Sequence, residues 1–171
     1  MEKKVLFSRR QIGRRVRELG RTISADYQGQ ELIVIGVLKG SFIFMADLIR
    51  CLDIPCTVDF IRAASYGTEC ISSGDVAITK DLELDITGKD VLIVEDIIDT
   101  GITLQLVADK LKKRNPRSLK VCAFIDKRHR RQVDFEADYV GFRTEDGFLV
   151  GYGLDFNEMD RFLPDIYIVE I

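Results

Sequence analysis

Val91-Leu92-Ile93-Val94-Glu95-Asp96-Ile97-Ile98-Asp99-Thr100-Gly101-Ile102-Thr103 is the stretch that decides the fold of this chain. It begins as a continuous apolar run, the pattern of a parallel strand buried on both faces. It then delivers three carboxylates, Glu95, Asp96 and Asp99, followed by a Thr-Gly turn. In open α/β sheets, ligands collect beyond the carboxyl ends of such strands. The turn predicts backbone amides of Thr100, Gly101, Ile102 and Thr103 facing an anion at a helix start, where the helix dipole adds attraction. Carboxylates beside a phosphate cradle repel phosphate unless they touch another part of the same ligand. A phosphorylated ribose satisfies both groups: its vicinal hydroxyls donate to carboxylates, which also suit Mg²⁺, while its phosphate rests on the turn.

Outward from this stretch the chain alternates strand and helix. Ser8-Arg9-Arg10-Gln11 has the form of a capping box, and Ile12, Val16, Leu19 and Ile23 follow at helical spacing, which predicts a helix over 8–24. A buried strand is predicted over 31–38, a helix over 41–51, and a strand over 56–62 after Pro55. Leu104, Val107, Ala108 and Leu111 stripe the helix after the acidic turn, and 119–125 returns to strand. The expectation is an α/β fold, a mainly parallel central sheet flanked by helices. Residues 63–85 loosen into Ser, Gly, Thr and charged residues, the composition of a mobile loop or exposed hairpin, and are expected to form a lid. Short strands over 139–142, 148–150 and 166–171 are expected to build a small hood with the N-terminal residues.

The 171 residues, 46% hydrophobic, suit a single domain over 1–171 with a sizeable core. No apolar run approaches the roughly 18 residues of a membrane span, and Met1-Glu2-Lys3-Lys4-Val5-Leu6-Phe7 leads into Ser-Arg-Arg rather than an apolar signal core. A cytoplasmic protein is expected. Cys51, Cys56, Cys70 and Cys122 lack the spacing of a disulfide framework or zinc knuckle, so free thiols are expected. His129 is the single histidine, which excludes serine–histidine triads and multi-histidine metal sites. A net charge of −3 argues against a general nucleic-acid binder. The arginines at 9, 10, 14, 15, 17 and 21, and the run Lys127-Arg128-His129-Arg130-Arg131, suit a solvated face or an oligomer contact, Lys127 excepted.

The stretch Glu95-Asp96-Ile97-Ile98-Asp99-Thr100-Gly101 resembles the phosphoribosyl-diphosphate signature of type I phosphoribosyltransferases, in its hypoxanthine-guanine form. Further matches follow in the family's own order: Leu38-Lys39-Gly40-Ser41, Val58-Asp59-Phe60-Ile61-Arg62 leading to Ser65-Tyr66-Gly67, Asp126-Lys127-Arg128, and Val150-Gly151-Tyr152-Gly153-Leu154-Asp155. The departures are Ile102, at a position that is Lys in some relatives, and Asp146-Gly147 before Phe148, which bears on purine selectivity. The resemblance implies the type I phosphoribosyltransferase fold with a hood (parts of 1–20 and 139–171) and a lid (about 63–85). It implies transfer of a phosphoribosyl group from phosphoribosyl diphosphate to a 6-oxopurine with Mg²⁺, in a homodimer or homotetramer. The same fold also serves regulators that sense phosphoribosyl diphosphate and bind nucleic acid.

The resemblance also implies roles for single residues. Asp99 would move the proton at the purine's N7, although an Asp before Thr-Gly equally suits an Asx turn. Lys127 would donate to the purine's O6, disfavouring adenine, with Phe148, Leu149 and Asp155 completing the base site. Glu95, Asp96, Ile98, Asp99, Thr100, Gly101, Ile102 and Thr103 would hold the phosphoribosyl group. Lys39, Gly40, Ser65, Tyr66 and Arg161 would meet pyrophosphate. The metal set would be Glu95, Asp96 and Asp155. The peptide before Lys39 is expected to be cis.

Overall fold

The computed structural model describes residues 2–65, 76–145 and 147–169. The elements run β1 (Lys3–Phe7), α1 (Arg9–Asp26), β2 (Leu32–Leu38), α2 (Phe42–Ile49), β3 (Cys56–Ser65), β4 (Val76–Lys80), β5 (Asp90–Ile98), α3 (Ile102–Lys112), β6 (Ser118–Lys127), β7 (Tyr139–Thr144), β8 (Phe148–Val150) and β9 (Ile166–Val169). A six-stranded sheet has the order β4-β3-β2-β5-β6-β7, parallel throughout except for β4. A separate three-stranded antiparallel sheet has the order β1-β9-β8.

The apolar runs behave as strands buried on both faces. Leu32 and Val34 of β2, with Leu92 and Val94 of β5, pack against Ile12, Val16, Leu19 and Ile23 of α1 and Phe44, Met45 and Leu48 of α2. Their neighbours Ile33, Ile35, Val91 and Ile93 point the other way, against Leu104, Val107, Ala108 and Leu111 of α3. Each Val, Leu, Ile, Phe or Met side chain so taken from water contributes about 1.5–3 kcal/mol. The capping box forms at α1: Ser8 accepts from the Gln11 amide, and Gln11 Oε1 accepts from the Ser8 amide at 2.9 Å.

From β2 the chain passes through α2 to β3 on one side; from β5 it passes through α3 to β6 on the other. The crevice between the carboxyl ends of β2 and β5 is therefore the topological switch point, where open α/β sheets bind ligands. Lys39-Gly40 leaves one strand there, and Glu95-Asp96 lies in the last stretch of the other.

One expectation changes. The strand expected in the hood over 139–142 is β7, paired parallel with β6 at the edge of the main sheet. Its connection from β6 is the short 3₁₀ turn Arg128–Arg130 and a loop rather than a helix. The missing helix made this crossover look like hood, whereas Phe142 and Tyr139 pack into the core beside α1. The segment expected as a lid or exposed hairpin begins in β3 and carries β4 antiparallel to it, with Ser65 opposite Val76. Residues 66–75 lie outside the described residues. Cys51, Cys56 and Cys122 are free thiols. No helix among the described residues is long and apolar enough to cross a membrane.

Candidate active site

Two adjoining cavities open at the switch point. The smaller, about 120 Å³, is lined by Glu95, Ile97, Ile98, Asp99, Thr100, Gly101, Thr103 and Leu104. It is the predicted cradle. Gly101 has φ +84°, a left-handed conformation that a side chain resists, and as the N-cap of α3 offers no side-chain hydrogen bond of its own. Thr100 Oγ1 accepts weakly from the Ile102 amide at 3.4 Å. Ile98 is buried, so its side chain serves the core beneath the cradle.

The larger cavity, about 480 Å³, is lined by Asp96, Ile97, Asp99, Lys127, Arg130, Gly147, Phe148, Leu149, Leu154 and Asp155. It suits a small planar ligand. Phe148 presents an exposed ring, set edge-on against Phe156 with centroids 5.4 Å apart. Lys127 is buried at the end of β6 and its ammonium donates to the Gly147 carbonyl. Ile97 and Asp99 line both cavities. Asp99 pairs with Arg130 through Oδ2 at 3.3 Å, while its Oδ1 is buried with no partner among the described residues.

Glu95 and Asp96 stand side by side under the crevice. Glu95 Oε1 accepts from the Asp96 amide at 3.0 Å, and Asp96 Oδ1 from the Ile97 amide at 2.8 Å. Neither has a salt-bridge partner among the described residues. Burial, and then the Asp96 charge, push the Glu95 carboxyl well above its ordinary range, and burial pushes Asp96 up as well. Such uncompensated oxygen donors suit a hard cation. Among the described residues no group of three or more His, Cys, Asp or Glu is placed to hold a metal. Asp155 does not join the pair: its Oδ1 lies 2.9 Å from Arg161 Nη2, and its Oδ2 accepts from the Glu158 amide at 2.9 Å. Two carboxylates without a cage fit Mg²⁺, which takes its remaining ligands from water and substrate phosphates.

Gly40 approaches this acidic pair from β2. A Cβ at Gly40 would lie 1.7 Å from Asp96 Oδ2, so any other residue there forces the Asp96 carboxylate to move. The Leu38-Lys39 peptide is cis. Lys39 meets Glu158 at 2.9 Å, and Arg161 Nη1 donates to the Gly153 carbonyl at 2.7 Å. Ser65 ends β3, and Tyr66 lies outside the described residues.

Sequence reasoning missed Ile97, Leu154, Arg130 and Arg131. Arg130 lines the larger cavity, and Arg131 is no solvated face: it donates to the Asp99 carbonyl at 3.3 Å, pairs with Asp126 and donates to the Phe135 carbonyl. The Gln132 amide donates to the Thr100 carbonyl at 2.9 Å, so the turn after β6 braces the cradle. A run of basic residues carries no signal of which ones turn inward.

The family model for the phosphoribosyl transferase domain matches residues 4–157. The chain belongs to this family. It is 50% identical over 168 residues to the hypoxanthine-guanine phosphoribosyltransferase of Aquifex aeolicus, covering 98% of this chain and 94% of the relative. It is 49% identical over 162 residues to the hypoxanthine phosphoribosyltransferase of Salmonella typhimurium, covering 94% and 91%. Among solved structures, a hypoxanthine-guanine phosphoribosyltransferase from Bacillus anthracis superposes with a TM-score of 0.95 at 47% identity, covering 99% of this chain and all of that one. The chain is thus a phosphoribosyltransferase with the type I fold.

Proposed function

We propose that this phosphoribosyltransferase serves purine salvage: it transfers the phosphoribosyl group of phosphoribosyl diphosphate to N9 of hypoxanthine or guanine, and possesses a base site open to xanthine, releasing pyrophosphate. The observation that carries the proposal is the pair of cavities meeting at Asp99, one lined by the phosphate turn and the other by Lys127, Phe148 and Leu149.

The 5-phosphate rests on the amides of residues 100–103, and the ribose hydroxyls donate to Glu95 and Asp96. Glu95 and Asp96 also hold Mg²⁺, which neutralises the leaving pyrophosphate when bound. Lys127 donates to O6, and Phe148 stacks on the base. An amino group at that position would meet a donor, so adenine is rejected. Asp99 accepts the N7 hydrogen as N9 attacks C1 and the bond to pyrophosphate breaks. Asp155 faces the base end from its pair with Arg161. Lys39 and Arg161 receive the leaving group beside Gly40. Residues 1–171 act as one domain: the β1-β9-β8 sheet is the hood, and the 63–85 segment, with Ser65 and Tyr66, closes over the substrates and excludes water. The enzyme works in the cytoplasm as a homodimer or homotetramer.

The test is nucleotide formation from phosphoribosyl diphosphate and Mg²⁺ with hypoxanthine, guanine, xanthine, adenine and uracil, with and without chelator. Turnover of oxopurines alone, abolished by chelation, is expected. Silence with all five bases would refute the proposal.

A further inference from the structure

Lys39 and Arg161 come from distant parts of the chain, yet they share one counter-ion. Glu158 Oε2 lies 2.9 Å from Lys39 Nζ and 3.5 Å from Arg161 Nη2. The hydrogen bond from Lys39, with the charges of Lys39 and Arg161, holds the Glu158 carboxyl below its usual range. Arg161 is the more buried of the two cations, and most of its fork is engaged: Nη1 on the Gly153 carbonyl, Nη2 on Asp155 and Glu158. Its Nε is buried with no acceptor among the described residues. Two cations gathered on one carboxylate oxygen, one of them with a donor still unused, suit an anion with more oxygens than that carboxylate offers. The Glu158 side chain is 64% exposed and has open solvent to move into.

We propose that Glu158 is a placeholder for pyrophosphate, resting on the function proposed above for Lys39 and Arg161. In the free enzyme its carboxylate neutralises the two cations. The diphosphate of the substrate displaces it, and it returns as pyrophosphate leaves. Diphosphate binding is then an exchange of one anion for another rather than the formation of new ion pairs. Its apparent affinity is lowered by the worth of a half-exposed pair, about two- to fivefold. Glu158 thereby tunes retention of the leaving group without touching the base site.

The experiment is calorimetric titration of inorganic pyrophosphate with Mg²⁺ into the parent protein, Glu158→Gln and Glu158→Asp. Steady-state KM values for phosphoribosyl diphosphate and for the oxopurine are measured in parallel. For Glu158→Gln, pyrophosphate binds about two- to fivefold tighter and KM for phosphoribosyl diphosphate falls, with KM for the base unchanged. Glu158→Asp keeps the charge and stays closer to the parent. Unchanged or weaker pyrophosphate binding by a folded Glu158→Gln would overturn the inference. The titration needs no turnover. Tighter binding in a protein silent with all five bases would therefore uphold the placeholder while refuting the transferase reaction.

Discussion

Strand β5 opens on a buried acid and carries one buried and one half-buried acid near its other end, and its ends handle charge in opposite ways. At the amino end, Asp90 is buried, pairs with Arg117 and accepts from Ser118 Oγ at 2.6 Å. The Arg117 hydrogen bond holds its carboxyl below the usual range. Toward the carboxyl end, Glu95 is buried and Asp96 half-buried; neither has a salt-bridge partner among the described residues, and both are pushed up. Burial is common to the two ends; compensation is not. A buried carboxylate that the protein satisfies by itself is architecture, whereas one left unsatisfied awaits what a ligand brings.

The largest effect that would sharpen this contrast belongs to Asp99, just beyond the strand. Asp99→Asn keeps the turn and removes the base, so kcat falls by about 100-fold or more with the thermal midpoint unchanged. Equal kcat in the two proteins would remove Asp99 from the chemistry. Gly40→Ala comes next. The added Cβ collides with the Asp96 carboxylate, displaces it from the place proposed for holding the ribose and cuts kcat/KM by about tenfold or more. A full-strength Gly40→Ala enzyme would mean that Asp96 tolerates movement and holds nothing critical.

At the amino end the sign reverses. Asp90→Asn strands Arg117 and Ser118, lowering the thermal midpoint by about 5 °C while leaving kcat per folded molecule unchanged. If that variant lost turnover but not stability, the division between the two ends of β5 would fail.

Much of this division is legible in the sequence. The apolar run of β5, the acids after it and the Thr-Gly turn each demand one local geometry, and they agree with one another. The capping box of α1 was equally local. What sequence could not show depended on contacts made far along the chain. β7 was assigned to the hood because no helix precedes it, although its register with β6 makes it an edge strand of the main sheet. Arg130 and Arg131 belong to a basic run whose composition says only that it is charged; Arg130 stays exposed and meets Asp99, whereas Arg131 turns inward onto Asp126 and the Phe135 carbonyl. Glu158 had no signature at all, since its two partners lie in different loops.

The smallest and most discriminating effect is in the pH dependence of stability, measured as the thermal midpoint in protein freed of divalent cations. Asp90 has a depressed pKa in the fold, so its contribution is present above the unfolded value of about 4 and is lost as pH falls through and below it. Glu95 has a raised pKa, so the folded state holds protons that the unfolded chain has released. Stability on its account declines as pH rises from about 4 toward the raised value, then levels off. Glu95→Gln removes a carboxyl that resists ionisation, and its stability advantage over the parent therefore grows with pH across that window. Asp90→Asn differs in the opposite sense, its disadvantage shrinking as the solution becomes acid. A Glu95→Gln curve parallel to the parent's at every pH would show that the carboxyl end of β5 is compensated after all, and the contrast between the two ends would collapse to one of position alone.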